Sequence, residues 1–246
     1  MARNVLVIGA TSAIAHAIGR RYAKEGANFV LVARDATKLD ANAADLAVRG
    51  AAKAVAVVAD LNDVAKHQDL ISRAAAELGS LDIVLIAHGT LPDQERCEKN
   101  VGEMRLAIDT NLFSVMSLAM IAALEMEERR RGSLVVLGSV AGDRGKRSNY
   151  VYGAAKAGVA VFLDGLRARL GARGVHVLTV KPGFVDTPMT AGFNKTFLWA
   201  TPEQVAKAVC RAVEQRRSEI YTPWFWRPIM LVIRALPSAI LGRLKL

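Results

Sequence analysis

A chain of 246 residues is long enough for one large α/β domain with a substantial core. It is 52% hydrophobic but only 6% aromatic, so the apolar content is mainly Ala, Val, Leu and Ile, which suits buried parallel strands under Ala-rich helices. Its net charge of +10 admits a membrane surface or anionic ligands, but no aromatic-interleaved basic stretch or nucleic-acid motif is present, which argues against nucleic acid.

The two cysteines, Cys97 and Cys210, lack metal-ligand spacing, so neither a metal site nor a disulfide framework is expected, and a reducing, cytoplasmic setting is the simpler reading. The chain runs straight into an apolar segment at residues 5–8, leaving no room for a signal peptide. That segment predicts a buried strand. Gly9-Ala10-Thr11-Ser12-Ala13-Ile14-Ala15 then leads into a helical pattern reaching about residue 25. Such a turn points backbone N–H groups at a phosphate, with Thr11 and Ser12 able to cap the helix. Alanine at 13 and 15 permits the close approach only if φ is negative there, and an ordinary strand–turn–helix connection reads equally well.

A second strand spans residues 29–33 and ends at Arg34-Asp35. An acidic residue here bonds the ribose 2′-hydroxyl of NAD, whereas arginine accommodates the 2′-phosphate of NADP. Arg34 comes first, favouring NADP(H) over NAD(H), with Asp35 free to cap the helix starting near Ala36. After a helix over residues 38–49, the strand at 54–58 ends at Asp60-Leu61, where Asp60 either bonds an adenine amino group or caps the helix at 63–78. The strand at 83–86 ends in Ala87-His88-Gly89. Gly89 lets the chain pass close to a flat ligand, and His88 reads as a local hydrogen-bonder rather than a catalyst.

A polar loop at 90–97 precedes a long helical region over 98–130, with a break expected near Thr110-Asn111. Arg129-Arg130-Arg131 reads as a solvated helix C-terminus complementing the helix dipole. Asn111 lies among apolar residues and must find partners, either by bridging backbone groups or by holding a water near a lysine.

The apolar run at 134–137 delivers Ser139 to a strand end. Tyr152 and Lys156 follow four residues apart in a helical segment and so share a face. An ammonium beside a phenol favours the phenolate, and a nearby serine hydroxyl polarises a carbonyl oxygen. Together they form a kit for moving a proton at an alcohol/ketone pair. Tyr150, six residues from Lys156, falls off that face. A sixth strand at 175–180 closes in Lys181-Pro182-Gly183-Phe184-Val185-Asp186-Thr187. Its turn leaves Thr187 able to face a cofactor. Residues 190–200, with Phe193, Phe197 and Trp199, suggest a lid. Thr201-Pro202 opens a helix, and residues 220–221 form a last short strand. The strand–helix alternation predicts a parallel sheet covered on both faces, and Gly9, Arg34, Asp60, Gly89, Ser139 and Gly183 all fall at carboxyl ends of strands, where such sheets bind ligands.

Over about residues 4–222 these features resemble the classical short-chain dehydrogenase/reductase family. The resemblance rests on Tyr152-x-x-x-Lys156 with Ser139 thirteen residues upstream, Asn111 further up, and Pro182-Gly183 downstream. It departs at Ala13 and Ala15, where the family usually has glycine, and at Ile86-Ala87-His88-Gly89, where it has Asn-Asn-Ala-Gly. The resemblance implies a single-domain Rossmann fold, a doubly wound parallel sheet of about seven strands, and a catalytic tetrad of Asn111, Ser139, Tyr152 and Lys156. It implies that the dinucleotide is held by Gly9, Thr11, Ser12, Ala13 and Ile14 at its pyrophosphate end. Arg34, Asp60, Leu61, Ala87 and Gly89 would follow along the crevice, with Tyr152, Lys156, Pro182, Gly183, Val185 and Thr187 toward the nicotinamide. A homodimer or homotetramer built on the two long helices is implied as well.

Residues 223–246 form an apolar and basic tail with Trp224, Trp226, Arg227 and Arg234, and with Arg243 and Lys245 near its end. It is too interrupted to span a bilayer. It suits either a membrane interface or packing on the substrate pocket or another subunit. The tail and Tyr150-Val151-Tyr152-Gly153 resemble the decaprenylphosphoryl-2-keto-pentose reductases, implying a lipid-linked keto-sugar substrate. A 3-oxoacyl thioester reductase and a non-catalytic dinucleotide-binding regulator are the alternative readings.

Overall fold

A computed structural model describes residues 2–237 of the chain. The end of the tail, including Arg243 and Lys245, lies outside the described residues. Seven strands are present: β1 (Asn4–Ile8), β2 (Asn28–Ala33), β3 (Lys53–Val58), β4 (Ile83–Ile86), β5 (Ser133–Leu137), β6 (His176–Pro182) and β7 (Glu219–Thr222). They form one sheet in the order β3-β2-β1-β4-β5-β6-β7, and every pairing is parallel. This is the doubly wound Rossmann order, with its switch point between β1 and β4.

The continuous apolar runs of the central strands follow from burial on both faces. Val5, Val7, Phe29, Leu31, Leu85, Val135 and Leu178 belong to one core with helices α1 (Ala13–Ala23), α2 (Ala36–Val48) and α8 (Pro202–Glu214). The alternate residues Leu6, Ile8, Val30, Val84, Val136 and Val177 belong to the other core. That core includes residues of α3 (His67–Leu78), α6 (Ser114–Glu128) and α7 (Tyr150–Leu170). Successive strand side chains point to opposite faces, so one sequence serves two cores.

The long helical region differs from its sequence reading. Helix starts earlier, at α4 (Gln94–Lys99) capped by Asp93, and breaks at Asn100, whose side chain accepts from Gly102 and Glu103 N–H groups to start α5 (Val101–Ile108). A side-chain cap satisfies orphan backbone donors that periodicity does not register. The expected break near Thr110-Asn111 is a π turn, Asp109–Phe113, leading into α6. The stretch Val101–Glu128 is long and apolar enough to cross a membrane, but Val115, Leu118, Ala119, Ala122 and Met126 are buried in the second core, as expected of a core helix. After β7, helix α9 (Trp226–Ala235) folds back and buries Trp226 and Met230.

Candidate active site

The carboxyl ends of the strands open onto a cleft of about 420 Å³. At the switch point β1 and β4 stay paired to their ends, and just beyond β1 Gly9 holds φ at +83°. A β-carbon on Gly9 would stand 2.4 Å from the His88 nitrogen, so both conformation and space require glycine. Ser12 is the N-cap of α1 and accepts from the Ala15 N–H, as its sequence suggested. Ala13 and Ala15 lie within α1, and neither has positive φ, so alanine meets the condition for close approach. Asn42 of α2 donates to the Ala10 carbonyl at 2.9 Å and fixes the turn from behind.

Arg34 is exposed at the end of β2, with no carboxylate paired to it among the described residues. Asp35 beside it is the N-cap of α2, accepting from the Lys38 N–H at 3.0 Å, and the cap's backbone hydrogen bonds hold its carboxyl below the usual range. Asp60 accepts from the Asn62 N–H at 3.0 Å and does not cap α3, whose N-cap position is Lys66 after the short turn Val64–Lys66.

β5 delivers Ser139, whose side chain accepts from the Ala141 N–H at 3.1 Å. A short turn, Val140–Gly142, then packs against α7 so closely that a β-carbon on Gly142 would meet the Lys156 carbonyl carbon at 2.7 Å. This contact sets Tyr152 and Lys156 over Ser139. Lys156 is 4% exposed. Its Nζ donates to the Leu137 carbonyl at 3.0 Å and lies 5.7 Å from the Tyr152 ring centroid. The expectation that the ammonium favours the phenolate is not met, since Lys156 does not figure in what shifts the phenol. Burial pushes Tyr152 up to about 12, and only the Ser139 hydroxyl pulls the other way. Burial also lowers Lys156 to about 8. Desolvation outweighs the pair because the ammonium is turned to a backbone carbonyl. Tyr150 is directed elsewhere, donating to Glu98 at 3.1 Å.

Asn111 is fully buried in the π turn, a geometry that recurs at functional sites. Its amide donates to the Ala107 carbonyl at 2.9 Å and to Thr90 Oγ1 at 3.4 Å, and accepts from the Thr90 N–H at 3.0 Å. It therefore bridges backbone groups. Its oxygen lies 2.7 Å and Lys156 Nζ 3.6 Å from the place a β-carbon on Gly89 would occupy, so both converge behind Gly89. The other residues predicted for the dinucleotide, namely Thr11, Ile14, Leu61, Ala87, Pro182, Gly183, Val185 and Thr187, all line the cleft. Asn111 does not line it. The Thr187 hydroxyl lies 3.4 Å from Thr190 Oγ1, in the turn Pro188–Thr190.

His88, which the sequence reads as a local hydrogen-bonder, does form a hydrogen bond, with a partner far along the chain. His88 donates from Nε2 to Ser114 Oγ at 2.9 Å. The direction follows because Ser114 itself donates to the Leu61 carbonyl, which also accepts from His67 Nε2 at 3.1 Å. His88 Nδ1 is thereby a bare acceptor, buried without a partner among the described residues, and burial first, then the charge of Lys156, lowers the ring to about 3. Lys146, Asn149 and Trp226 also line the cleft. Packing of the tail on the pocket is one of the sequence readings, and Trp226 lines the cleft; Lys146 and Asn149 carry no local signal, because only tertiary packing brings them here.

The short chain dehydrogenase family matches residues 3–197. An uncharacterized oxidoreductase of Mycobacterium tuberculosis is 38% identical over 240 residues, covering 98% of this chain and 96% of the relative. The ketoacyl reductase HetN of Nostoc sp. is 30% identical over 223 residues, covering 89% of this chain and 77% of that protein. Among solved structures, an actinorhodin polyketide ketoreductase with NADPH aligns with a TM-score of 0.77 at 25% identity, over 86% of this chain and 91% of that one.

Proposed function

Because the chain belongs to the short-chain dehydrogenase family, whose members are oxidoreductases acting on CH–OH groups and binding a nicotinamide dinucleotide, we propose that it is an NADP(H)-dependent reductase interconverting a ketone and a secondary alcohol. One observation carries this reading. Ser139, Tyr152 and Lys156 gather in a cleft whose rim also presents Arg34, which has no carboxylate partner among the described residues.

The residues present fit the dinucleotide. Gly9, Thr11, Ser12, Ala13 and Ile14 form the turn at the start of α1, where a helix N-terminus suits a pyrophosphate. Arg34 suits a 2′-phosphate, since Asp35 is engaged as a cap. Asp60 and Leu61 suit the adenine, and Ala87 and Gly89 line the path between. Lys156 would hold the ribose hydroxyls, and Pro182, Gly183, Val185 and Thr187 would hold the carboxamide. When bound, the cofactor supplies the hydride.

The chain's own residues handle the proton. A phenol held near 12 is fully protonated at neutral pH and can act as the acid that reduction needs. The Ser139 hydroxyl positions the carbonyl oxygen. As Tyr152 gives up its proton, the Lys156 ammonium stabilises the phenolate, a charge that exists only at that moment. Asn111, whose amide bridges Ala107 and Thr90, would anchor the π turn behind Gly89.

Phe184, Met189 and Phe193 give the outer cleft apolar walls, which suits an amphiphilic carbonyl substrate such as a lipid-linked keto-sugar. The outer face of α9 exposes Leu231 and Val232 beside Arg227 and Arg234. This supports peripheral contact with a membrane by a cytoplasmic protein. Similarity to a ketoacyl reductase and a polyketide ketoreductase favours a second reading, a 3-oxoacyl thioester reductase.

The test is NADPH oxidation by purified protein across a panel of keto-sugars, simple ketones and 3-oxoacyl thioesters. Turnover is expected with at least one class, and Tyr152→Phe should lower kcat at least ~100-fold. No turnover with any class, or an unaffected Tyr152→Phe protein, would sink the reading.

A further inference from the structure

The strand–helix alternation does not build the whole cleft. One wall comes from α9, in the segment that sequence reads as a tail. Trp226 and Met230, one helical turn apart, are 4% and 0% exposed and form a cluster with Val140, the residue after Ser139. This cluster is separate from the two cores of the sheet.

The indole is placed by Gly183. A β-carbon on Gly183 would stand 1.9 Å from Trp226 Nε1 and 2.2 Å from its Cε2. The nitrogen edge of the ring therefore lies directly on the backbone at the end of β6, and any side chain at 183 would evict it. Phe184 meets the ring edge-on at a centroid distance of 5.6 Å and stacks on Trp199 at 5.4 Å. The orientation is over-determined by these contacts.

Yet the Nε1–H, buried in a cleft-lining residue, has no acceptor among the described residues. Buried tryptophan N–H groups usually find a partner, and buried polar groups that lack one need an explanation. The reacting carbonyl oxygen does not provide it, since that oxygen is already served by two donors, Tyr152 and Ser139. The indole is matched to a second oxygen. Asn149 Oδ1, also on the cleft and also buried without a partner among the described residues, is matched to a donor. A hydroxyl group satisfies either one.

We propose that Trp226 is a substrate-binding residue whose Nε1–H donates a hydrogen bond to a second oxygen flanking the reacting carbonyl, so that α9 selects oxygen-bearing ketones over plain ones. The inference rests on the reductase reading given above.

The test compares 2-hydroxycyclohexanone with cyclohexanone. Trp226→Phe keeps a ring but removes the donor. It should narrow the kcat/KM preference for the hydroxyketone by about 3- to 10-fold, the range for one neutral hydrogen bond. A folded Trp226→Phe protein with an unchanged preference overturns the proposal.

A second measurement needs neither turnover nor a variant at this position. The three indole N–H resonances of the ¹⁵N-labelled protein are assigned by elimination with Trp199→Phe and Trp224→Phe. With NADP⁺ present, the Trp226 proton should move downfield on adding 2-hydroxycyclohexanone and not on adding cyclohexanone. The same response to both, or to neither, overturns the proposal. If the wild-type protein turns over no carbonyl compound, the reductase reading fails, and the indole titration still decides the role of Trp226.

Discussion

Lys156 carries the sharpest conflict between stability and function at the level of single residues. Its ammonium lies in a site that lowers it to about 8 from an ordinary 10.5. The folded protein therefore holds this proton less tightly than the unfolded chain. Between pH 8 and 10.5 the unfolded state binds more protons, so this group's contribution to stability rises with pH through that window. Below it, burying the charge costs on the order of 3 kcal/mol. Lys156→Met should consequently raise Tm at pH 7, and the gain should shrink toward pH 10 as the wild-type lysine neutralises. Thermal denaturation at both pH values checks this, and a variant that melts below wild type at pH 7 would count against it. Arg34 belongs to the same scale. With Asp35 engaged in its cap, Arg34→Ser should weaken NADPH binding at least ~10-fold while leaving NADH within about twofold, as read by fluorescence titration. Equal losses for both dinucleotides would assign the preference elsewhere.

At the scale of elements, the loop after Ser139 must hold its place against α7 although it is neither strand nor helix. Asp143 ties it down. Its carboxylate takes the Lys181 ammonium of β6 at 2.8 Å and the Tyr221 hydroxyl of β7 at 2.6 Å, with its side chain 4% exposed. Lys181 also pairs with Glu219 at 2.6 Å, and these partners raise the lysine above its ordinary value despite its burial. Breaking a buried pair from one side leaves an uncompensated charge. Asp143→Asn should cost roughly 3 kcal/mol in urea unfolding, and adding Lys181→Met should recover part of it. A loss near zero would mean Glu219 alone satisfies the lysine. This tie shows where sequence reading stops. The central strands were legible because both faces are buried and their apolar runs are unbroken. The α8 start was legible because Thr201 and Pro202 stand as N-cap and first helical residue. Gly9, Arg34, Ser139, Tyr152 and Gly183 were legible because strand ends and helical spacing place them. The Asp143 tie, the His88–Ser114 bond and the indole over Gly183 were not, because each depends on partners tens of residues away, and the start of α4 was not, because a side-chain cap within a polar stretch leaves no mark in the periodicity.

The whole molecule leaves an apolar surface that the fold does not use. Val101 is 73% exposed on α5, Phe113 53% in the π turn, Leu124 46% on α6 and Val161 72% on α7. Meanwhile the opposite sides of α6 and α7 are packed into the second core. Scattered exposed aliphatics need no explanation, but a set carried by adjoining helices marks an interaction surface. These helices also hold Asn111, Tyr152 and Lys156, so an interface there would stiffen the catalytic elements from outside, as family membership leads one to expect. Light scattering should accordingly give a mass that is a multiple of 26.4 kDa. Phe113→Asp and Val161→Asp, each placing a charge on that surface, should shift the protein toward the single chain and weaken NADPH binding in parallel. A wild-type protein that runs at 26.4 kDa would remove the argument. An oligomer indifferent to both substitutions would move the interface to another face, with the exposed side of α9 next in line.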